Sequence, residues 1–186
     1  MRKIISLYQR NYDTDRQVRD EIVPGAEWVI SGEGVATRKW DGTPVMFDGK
    51  YWYKRYDVKK GRSIPDGAIP CQDPDPITGH WPHWVRVSND PDDRWIRECI
   101  LNSTGIDEGT YEAVGPRING GNDGLTVHQM MRHGDGKFAD CPRNFNDLKL
   151  WFLEYPNIEG VVWHHSDGRM VKIKRKDFGL PWPPTK

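Results

Sequence analysis

Cysteine is scarce in this chain: Cys71, Cys99 and Cys141 are the only thiols among 186 residues. Three scattered positions without paired spacing exclude a disulfide framework and a zinc site, and they suit a reducing, intracellular compartment, read as cytoplasmic. Long apolar runs are missing too. No stretch approaches the roughly 20 residues of a membrane span, and residues 1–7 give way to Gln9-Arg10 too soon for a secretory signal. The expectation is a soluble protein with no membrane partner. Net charge is also absent, since 27 Lys+Arg balance 27 Asp+Glu. That excludes coating of nucleic acid by bulk electrostatics. Apolar content is modest, at 36% hydrophobic residues and a mean hydropathy of −0.80. The length still permits a real core, and one domain over 1–186 is expected.

What the chain does hold is local. Lys54, Arg55, Lys59, Lys60 and Arg62 form one basic cluster, and Lys172, Lys174, Arg175 and Lys176 another. Acidic residues collect elsewhere, at Asp73, Asp75, Asp90, Asp92 and Asp93. Patterning predicts a strand over 3–8, a helix over 14–22 stopped by Pro24-Gly25, and a strand over 27–30. From Gly34 the reading is β: 35–39, 44–47 and 50–56, with Asp48-Gly49 as a hairpin turn. This predicts Lys39 and Arg55 on neighbouring antiparallel strands. Residues 61–87 read as a long loop dense in Pro, Gly and Asp, of the functional or mobile kind. Asp90-Pro91 opens a helix to about 101, with Trp95, Ile96, Cys99 and Ile100 toward the core. Strands over 109–114 and 125–132 flank a turn-rich connector. A helix over 146–155 stops at Pro156, strands over 159–163 and 170–174 follow, and 180–186 is a proline-rich tail. The class is α+β.

The chemistry is read from Thr37-Arg38-Lys39-Trp40-Asp41-Gly42-Thr43. A lysine held at a strand end, followed after one spacer by an Asp-Gly turn dipeptide, can present an amine to an electrophile. Strand alternation puts Lys172 and Lys174 on one face, with Val171 and Ile173 on the other. By the same count Glu159, Val161 and Trp163 share a face. A carboxylate beside a small apolar surface suits a metal at one end and a flat base at the other.

Five pieces in this order resemble the motifs of the covalent nucleotidyltransferases: ATP-dependent DNA and RNA ligases and mRNA capping enzymes. They are Lys39-Trp40-Asp41-Gly42, Arg55 in Tyr53-Lys54-Arg55-Tyr56, Glu112 in Tyr111-Glu112-Ala113-Val114-Gly115, Glu159-Gly160-Val161-Val162, and Lys172-Ile173-Lys174. The likeness is nearest to compact ATP-dependent RNA ligases with vertebrate and viral members. Gly67-Ala68-Ile69-Pro70, Thr78-Gly79-His80-Trp81-Pro82, Gly115-Pro116-Arg117-Ile118-Asn119-Gly120 and His133-Gly134 carry it. The resemblance implies a nucleotidyltransferase (adenylation) domain, with two antiparallel sheets and flanking helices. The sequence ends about ten residues past the fifth motif, so no OB domain is expected.

The resemblance further implies that Lys39 takes AMP from ATP, passes it to a 5′-phosphate end, and that a 3′-hydroxyl then seals the RNA. Thr37, Asp41, Gly42, Arg55, Glu112, His133, Val161, Lys172 and Lys174 would bind the nucleotide, Glu112 through its ribose. Glu159 and Glu112 would hold Mg²⁺ or Mn²⁺. Asp41 would orient its loop or the ribose. Lys54, Lys59, Lys60 and Arg62 are expected to grip RNA. Pro44 stands where many ligases place Arg or Asn, and no adenine-stacking aromatic is evident between the third and fourth motifs; His128 and His133 are the candidates there. A DNA nick ligase, a GTP-dependent capping-type guanylyltransferase, or a non-catalytic nucleotide- or RNA-binding module are the alternatives. The oligomeric state is left open.

Overall fold

The computed structural model describes residues 2–184. In chain order the strands are β1 Ile5–Ser6, β2 Tyr8–Arg10, β3 Val18–Ile22, β4 Val35–Lys39, β5 Thr43–Phe47 and β6 Trp52–Val58. They continue as β7 Ile69–Pro70, β8 Trp81–Arg86, β9 Gly109–Val114, β10 Gln129–Arg132, β11 Gly160–His164 and β12 Met170–Lys174. The helices are α1 Glu27–Ile30, α2 Arg94–Asn102 and α3 Phe145–Glu154. Mixed α and β structure, mostly sheet, is therefore what the sequence folds into. Among the described residues no helix is long and apolar enough to cross a membrane. The chain divides into two compact units: residues 2–3 with 41–133, and residues 4–40 with 134–184.

In the second of these, a four-stranded sheet runs in the order β1-β12-β11-β4. Its core face carries Ala36, Val161, Trp163, Val171 and Ile173, which cluster with Leu148, Trp151 and Phe152 of α3. Those three positions recur at helical spacing. The Asn144 side chain caps α3 by accepting the Asp147 N–H at 2.9 Å, and Pro156 ends it. β1 joins β12 in parallel, so this sheet is not wholly antiparallel as expected; residue alternation carries no sign of strand direction.

Two local expectations reverse here. Residues 14–22 form a turn and then β3, because Asn11 Oδ1 accepts the N–H groups of Asp13 and Thr14 and Asp15 Oδ1 that of Gln17. Such side-chain turns compete with helix. Residues 27–30 are helical rather than extended. The guanidinium of Arg143, more than a hundred residues away, donates to the carbonyls of Val29 at 2.9 Å and Gly34 at 2.8 Å, and also to that of Glu33. A distant cation thus pins the end of α1 and the turn that follows it.

The other unit is a six-stranded sheet in the order β10-β9-β5-β6-β8-β7. Ile96 and Cys99 of α2 pack on Val45, Tyr111, Ala113 and Met130, with Trp95 and Ile100 at the margin. Residues 61–87 are not a structureless loop. β8 pairs with β6 over six positions, and Ile69 and Pro70 add β7 at the edge. The rest is knotted on Asp75, whose carboxylate accepts the N–H groups of Ile77 and Thr78 and pairs with Lys3 at 2.8 Å. Lys39 and Arg55 also part company: Lys39 ends β4 in one sheet and Arg55 sits in β6 of the other, since Asp41-Gly42 passes the chain between sheets instead of closing a hairpin.

Asp93 anchors the start of α2. Fully buried, it pairs with Lys54 and accepts from Ser88 N at 2.9 Å and Ser88 Oγ at 3.2 Å. Removing one partner of a buried charged pair is costly. Asp93→Ala should lower the unfolding free energy by roughly 2–4 kcal/mol, read from urea midpoints, whereas exposed Asp92→Ala should stay within about 0.5 kcal/mol. Equal effects would contradict this role.

Candidate active site

Lys39 closes β4, and the register of the four-stranded sheet decides what stands beside it. Gly160 is opposite Lys39 on one side and Lys174 on the other; Val162 is opposite Thr37 and Lys172. Directly opposed residues share a face. Thr37, Lys39, Val162, Lys172 and Lys174 therefore line one face, with the apolar core behind. A Cβ at Gly160 would lie 2.4 Å from the Ile173 carbonyl oxygen and 3.1 Å from Lys174 Cα, so only glycine fits that row.

Val161 corrects one expectation. It is fully buried on the core face, and Val162 occupies the position beside the lysines. Counting alternation from Glu159 misplaced it, because Glu159 precedes β11 and stands outside the pleat. Glu159 nevertheless reaches the lysine face: its Oε2 pairs with Lys39 Nζ at 2.5 Å, and it is 4% exposed. Lys39 Nζ also donates to the Trp40 carbonyl at 3.3 Å.

Three ammonium groups on one half-buried face have an electrostatic consequence. Burial, then the like charges of Lys174 and Lys39, push the Lys172 amine down to about 8. Burial also lowers Lys174, against the pull of Glu159 and Asp177. Asp177 is itself buried, takes the Lys174 N–H at 2.9 Å and pairs with Arg10, which fixes the end of β12.

Beside Thr37 opens a cavity of about 540 Å³ lined by Glu33, Gly34, Val35, Thr37, Gly134, Lys137, His164, His165 and Ser166. Thr37 is buried at its wall and its hydroxyl donates to the Val162 carbonyl at 3.1 Å. His165 is held by Glu33 at 2.7 Å and Asp167 at 2.8 Å, and the Glu33 hydrogen bond raises it above the ordinary histidine range.

The other residues expected from the sequence lie in the six-stranded unit. Glu112 on β9 is 7% exposed; Oε1 accepts the Gly42 N–H at 3.2 Å and Oε2 bonds His133 Nε2 at 2.9 Å. Pro44 stands opposite Glu112, and alternation puts Arg55 on that same face, where its Nε pairs with Asp57 at 3.0 Å. Lys54 points to the other face, toward Asp93. Lys59, Lys60 and Arg62 are exposed in the turn after β6.

Sequence reasoning missed the loop that holds Asp41-Gly42. Asn119 Nδ2 donates to Asp41 Oδ1 at 3.2 Å and to the Gly42 carbonyl at 2.8 Å. Asn122 Nδ2 donates to Asp41 Oδ2 at 2.8 Å, and Asp123 Oδ2 accepts the Asp41 N–H at 2.8 Å. The loop turns through left-handed backbone at Asn119, Gly120 and Gly121, which the density of Asn, Gly and Asp after the Glu112 strand could have signalled. A Cβ on Gly42 would fall 2.2 Å from the Ala113 carbonyl oxygen, so its glycine is a requirement of close approach. Of the two candidate stacking histidines, His128 is structural: buried, stacked on Trp95, bonded to Glu98 and accepting the Arg117 N–H. His133 is held at both ring nitrogens, Nδ1 by Thr110 Oγ1 at 3.0 Å and Nε2 by Glu112 Oε2 at 2.9 Å.

Among the described residues no three His, Cys, Asp or Glu side chains gather into a metal-binding group. A divalent cation would find one carboxylate, Glu159, on the lysine face, and the shell would be completed by water and phosphate oxygens, the usual habit of Mg²⁺. Both oxygens of Glu112 already hold N–H donors.

A family model described as RNA ligase 1 matches residues 85–186, more than half of the chain. The curated RNA ligase 1 of Pongo abelii is 29% identical over 174 residues, covering 72% of this chain and 53% of its own length. That of Danio rerio is 30% identical over 169 residues, with 72% and 49% covered; that of Mus musculus is 28% identical over 163 residues, with 70% and 47%. The chain spans about half the length of these relatives.

The lysine face should be legible in stability against pH. Because the Lys172 amine falls from 10.5 to about 8 on folding, the unfolded chain binds more protons between those values, and stability rises with pH across that window. Below pH 8 the full penalty applies. Lys172→Met should add roughly 2 kcal/mol at pH 7 and flatten the rise from pH 8 to 10, measured by urea unfolding at both ends. An unchanged slope would contradict the assignment.

Proposed function

The chain belongs to the RNA ligase 1 family, and on that premise we propose that it is an ATP-dependent RNA ligase working through a covalent lysyl-AMP on Lys39. The fold we assign is a nucleotidyltransferase (adenylation) domain. The observation that carries this reading is the β4–β11–β12 face, where Lys39, ion-paired to buried Glu159, stands in register with Lys172 and Lys174.

In the first step Lys39 Nζ, having lost its proton, bonds to the α-phosphorus of ATP while the α–β phosphoanhydride oxygen leaves with pyrophosphate. Lys172 and Lys174 place cationic donors on that face, where they stabilise charge on the phosphoryl oxygens. The adenine is proposed to enter the cavity beside Thr37, whose 540 Å³ is ample for a base. Glu112 receives the ribose, and the Asn119–Asn122 loop keeps Asp41-Gly42 in place; both side-chain oxygens of Asp41 are engaged, so it orients rather than acts as a base. Mg²⁺ or Mn²⁺, bound through Glu159, would supply charge neutralisation at the phosphates. AMP then passes to an RNA 5′-phosphate, and a 3′-hydroxyl oxygen displaces it to form the phosphodiester. Lys59, Lys60 and Arg62, exposed and among the described residues without an ion pair, are the proposed RNA grip; Lys54 is spent on Asp93.

Two assays test the reading. With α-labelled nucleotide and Mg²⁺, ATP but not GTP should label the protein, and 5′-phosphorylated RNA should then take up the label. Labelling by GTP alone would favour a capping-type enzyme, transfer only to nicked DNA a DNA ligase, and no labelling a binding module. Changing Lys59, Lys60 and Arg62 together to Gln should cut RNA joining more than tenfold and reduce its salt dependence, leaving self-labelling intact. Parallel loss of both activities would refute the RNA grip.

A further inference from the structure

We infer that His133 is a positioning residue for ribose recognition, setting the Glu112 carboxylate so that its remaining lone pairs accept a sugar hydroxyl. The inference rests on the ligase reading above. Met131 of β10 stands opposite Glu112, and two residues later the chain folds back on β9. The His133 N–H donates to the Thr110 carbonyl at 3.1 Å. Its ring then bridges two side chains of that strand, Nδ1 to Thr110 Oγ1 at 3.0 Å and Nε2 to Glu112 Oε2 at 2.9 Å.

Nε2 faces the Glu112 carboxylate and Nδ1 faces the Thr110 hydroxyl, which can donate or accept, so both ring nitrogens have a partner. Thr110 and Glu112 share a strand face, and the imidazole acts as a rigid spacer between them. With the Gly42 N–H on Oε1 at 3.2 Å, each oxygen of Glu112 has one N–H donor, and the carboxylate can neither rotate nor tilt without losing one. Among the described residues no lysine or arginine pairs with it. A half-satisfied, immobilised carboxylate of this kind suits a neutral donor better than a cation, and a ribose hydroxyl is such a donor. Two families of contact therefore meet on Glu112: the turn after the nucleophile through Gly42, and the sugar through the orientation His133 imposes.

Lysyl-AMP formation by the full chain with ATP, 2′-deoxy-ATP and 3′-deoxy-ATP provides the test, on wild type, His133→Phe and His133→Gln. The Phe variant keeps the ring volume without the N–H; the Gln variant offers an amide N–H to Glu112. Wild type should favour ATP over one deoxy analogue by roughly tenfold or more in kcat/KM. His133→Phe should bring that ratio near one by weakening ATP use while leaving use of the deoxy analogue little changed, and His133→Gln should restore most of it. If His133→Phe slows ATP and both analogues equally, His133 is merely structural and the inference falls. No lysyl-AMP on wild type with any of the three would overturn the ligase reading itself, and the inference with it.

Discussion

Everything in the lysine-bearing unit depends on one backbone contact, the approach of β12 to Gly160. Because no Cβ fits there, the row across the sheet is Lys39, an empty position, and Lys174, with Lys172 one pleat away. The ammonium groups thus share one face without an intervening side chain. Charge repulsion and burial follow from that register, and Lys172 absorbs much of the cost by losing basicity. Glu159, standing just outside the pleat, supplies the compensating charge to Lys39. Apolar residues behind the sheet, packed on α3, keep the register from slipping, since a shift by one residue would turn the lysines into the core.

The six-stranded unit applies the same logic through hydrogen bonds. Here backbone N–H groups, the amides of Asn119 and Asn122, the Asp123 carboxylate and the His133 ring hold Asp41, Gly42 and Glu112. An Asp-Gly pair alone would be a flexible turn. With Asn119, Asn122, Asp123 and Glu112 each bonded to it, the segment after Lys39 has little freedom, a preorganisation that would suit the proposed group transfer.

Much of this was legible in the residues themselves. The alternation of Val171-Lys172-Ile173-Lys174 gives a strand with a charged face, and Leu148, Trp151 and Phe152 give α3 with its cap at Asn144. The order of the motifs singled out Lys39, Glu112, Glu159 and the two lysines, and of these the sheet register brings Lys39, Lys172 and Lys174 to one face. What remained hidden depends on distant partners. The end of α1 and the turn after it are pinned by Arg143, more than a hundred residues away; β1 runs parallel for reasons no alternation encodes; β8 was masked by the prolines of its loop. Val161 was placed on the wrong face because a strand period was extended to Glu159, beyond the strand. The Asn119–Asp123 clamp lay in a connector whose turn residues were visible but whose target was not. Of the tail 180–186, the last two residues lie outside the described chain.

The most direct test of this account is to map the modified residue. Lys39 is the proposed nucleophile, and Lys172, whose amine is pushed down to about 8, stands on the same face. The protein, stripped of bound nucleotide with pyrophosphate, is incubated with ATP and Mg²⁺, digested at neutral pH and analysed by tandem mass spectrometry. A single AMP on Lys39, abolished in Lys39→Ala, is the predicted result. AMP on Lys172, or none on either lysine, would contradict it.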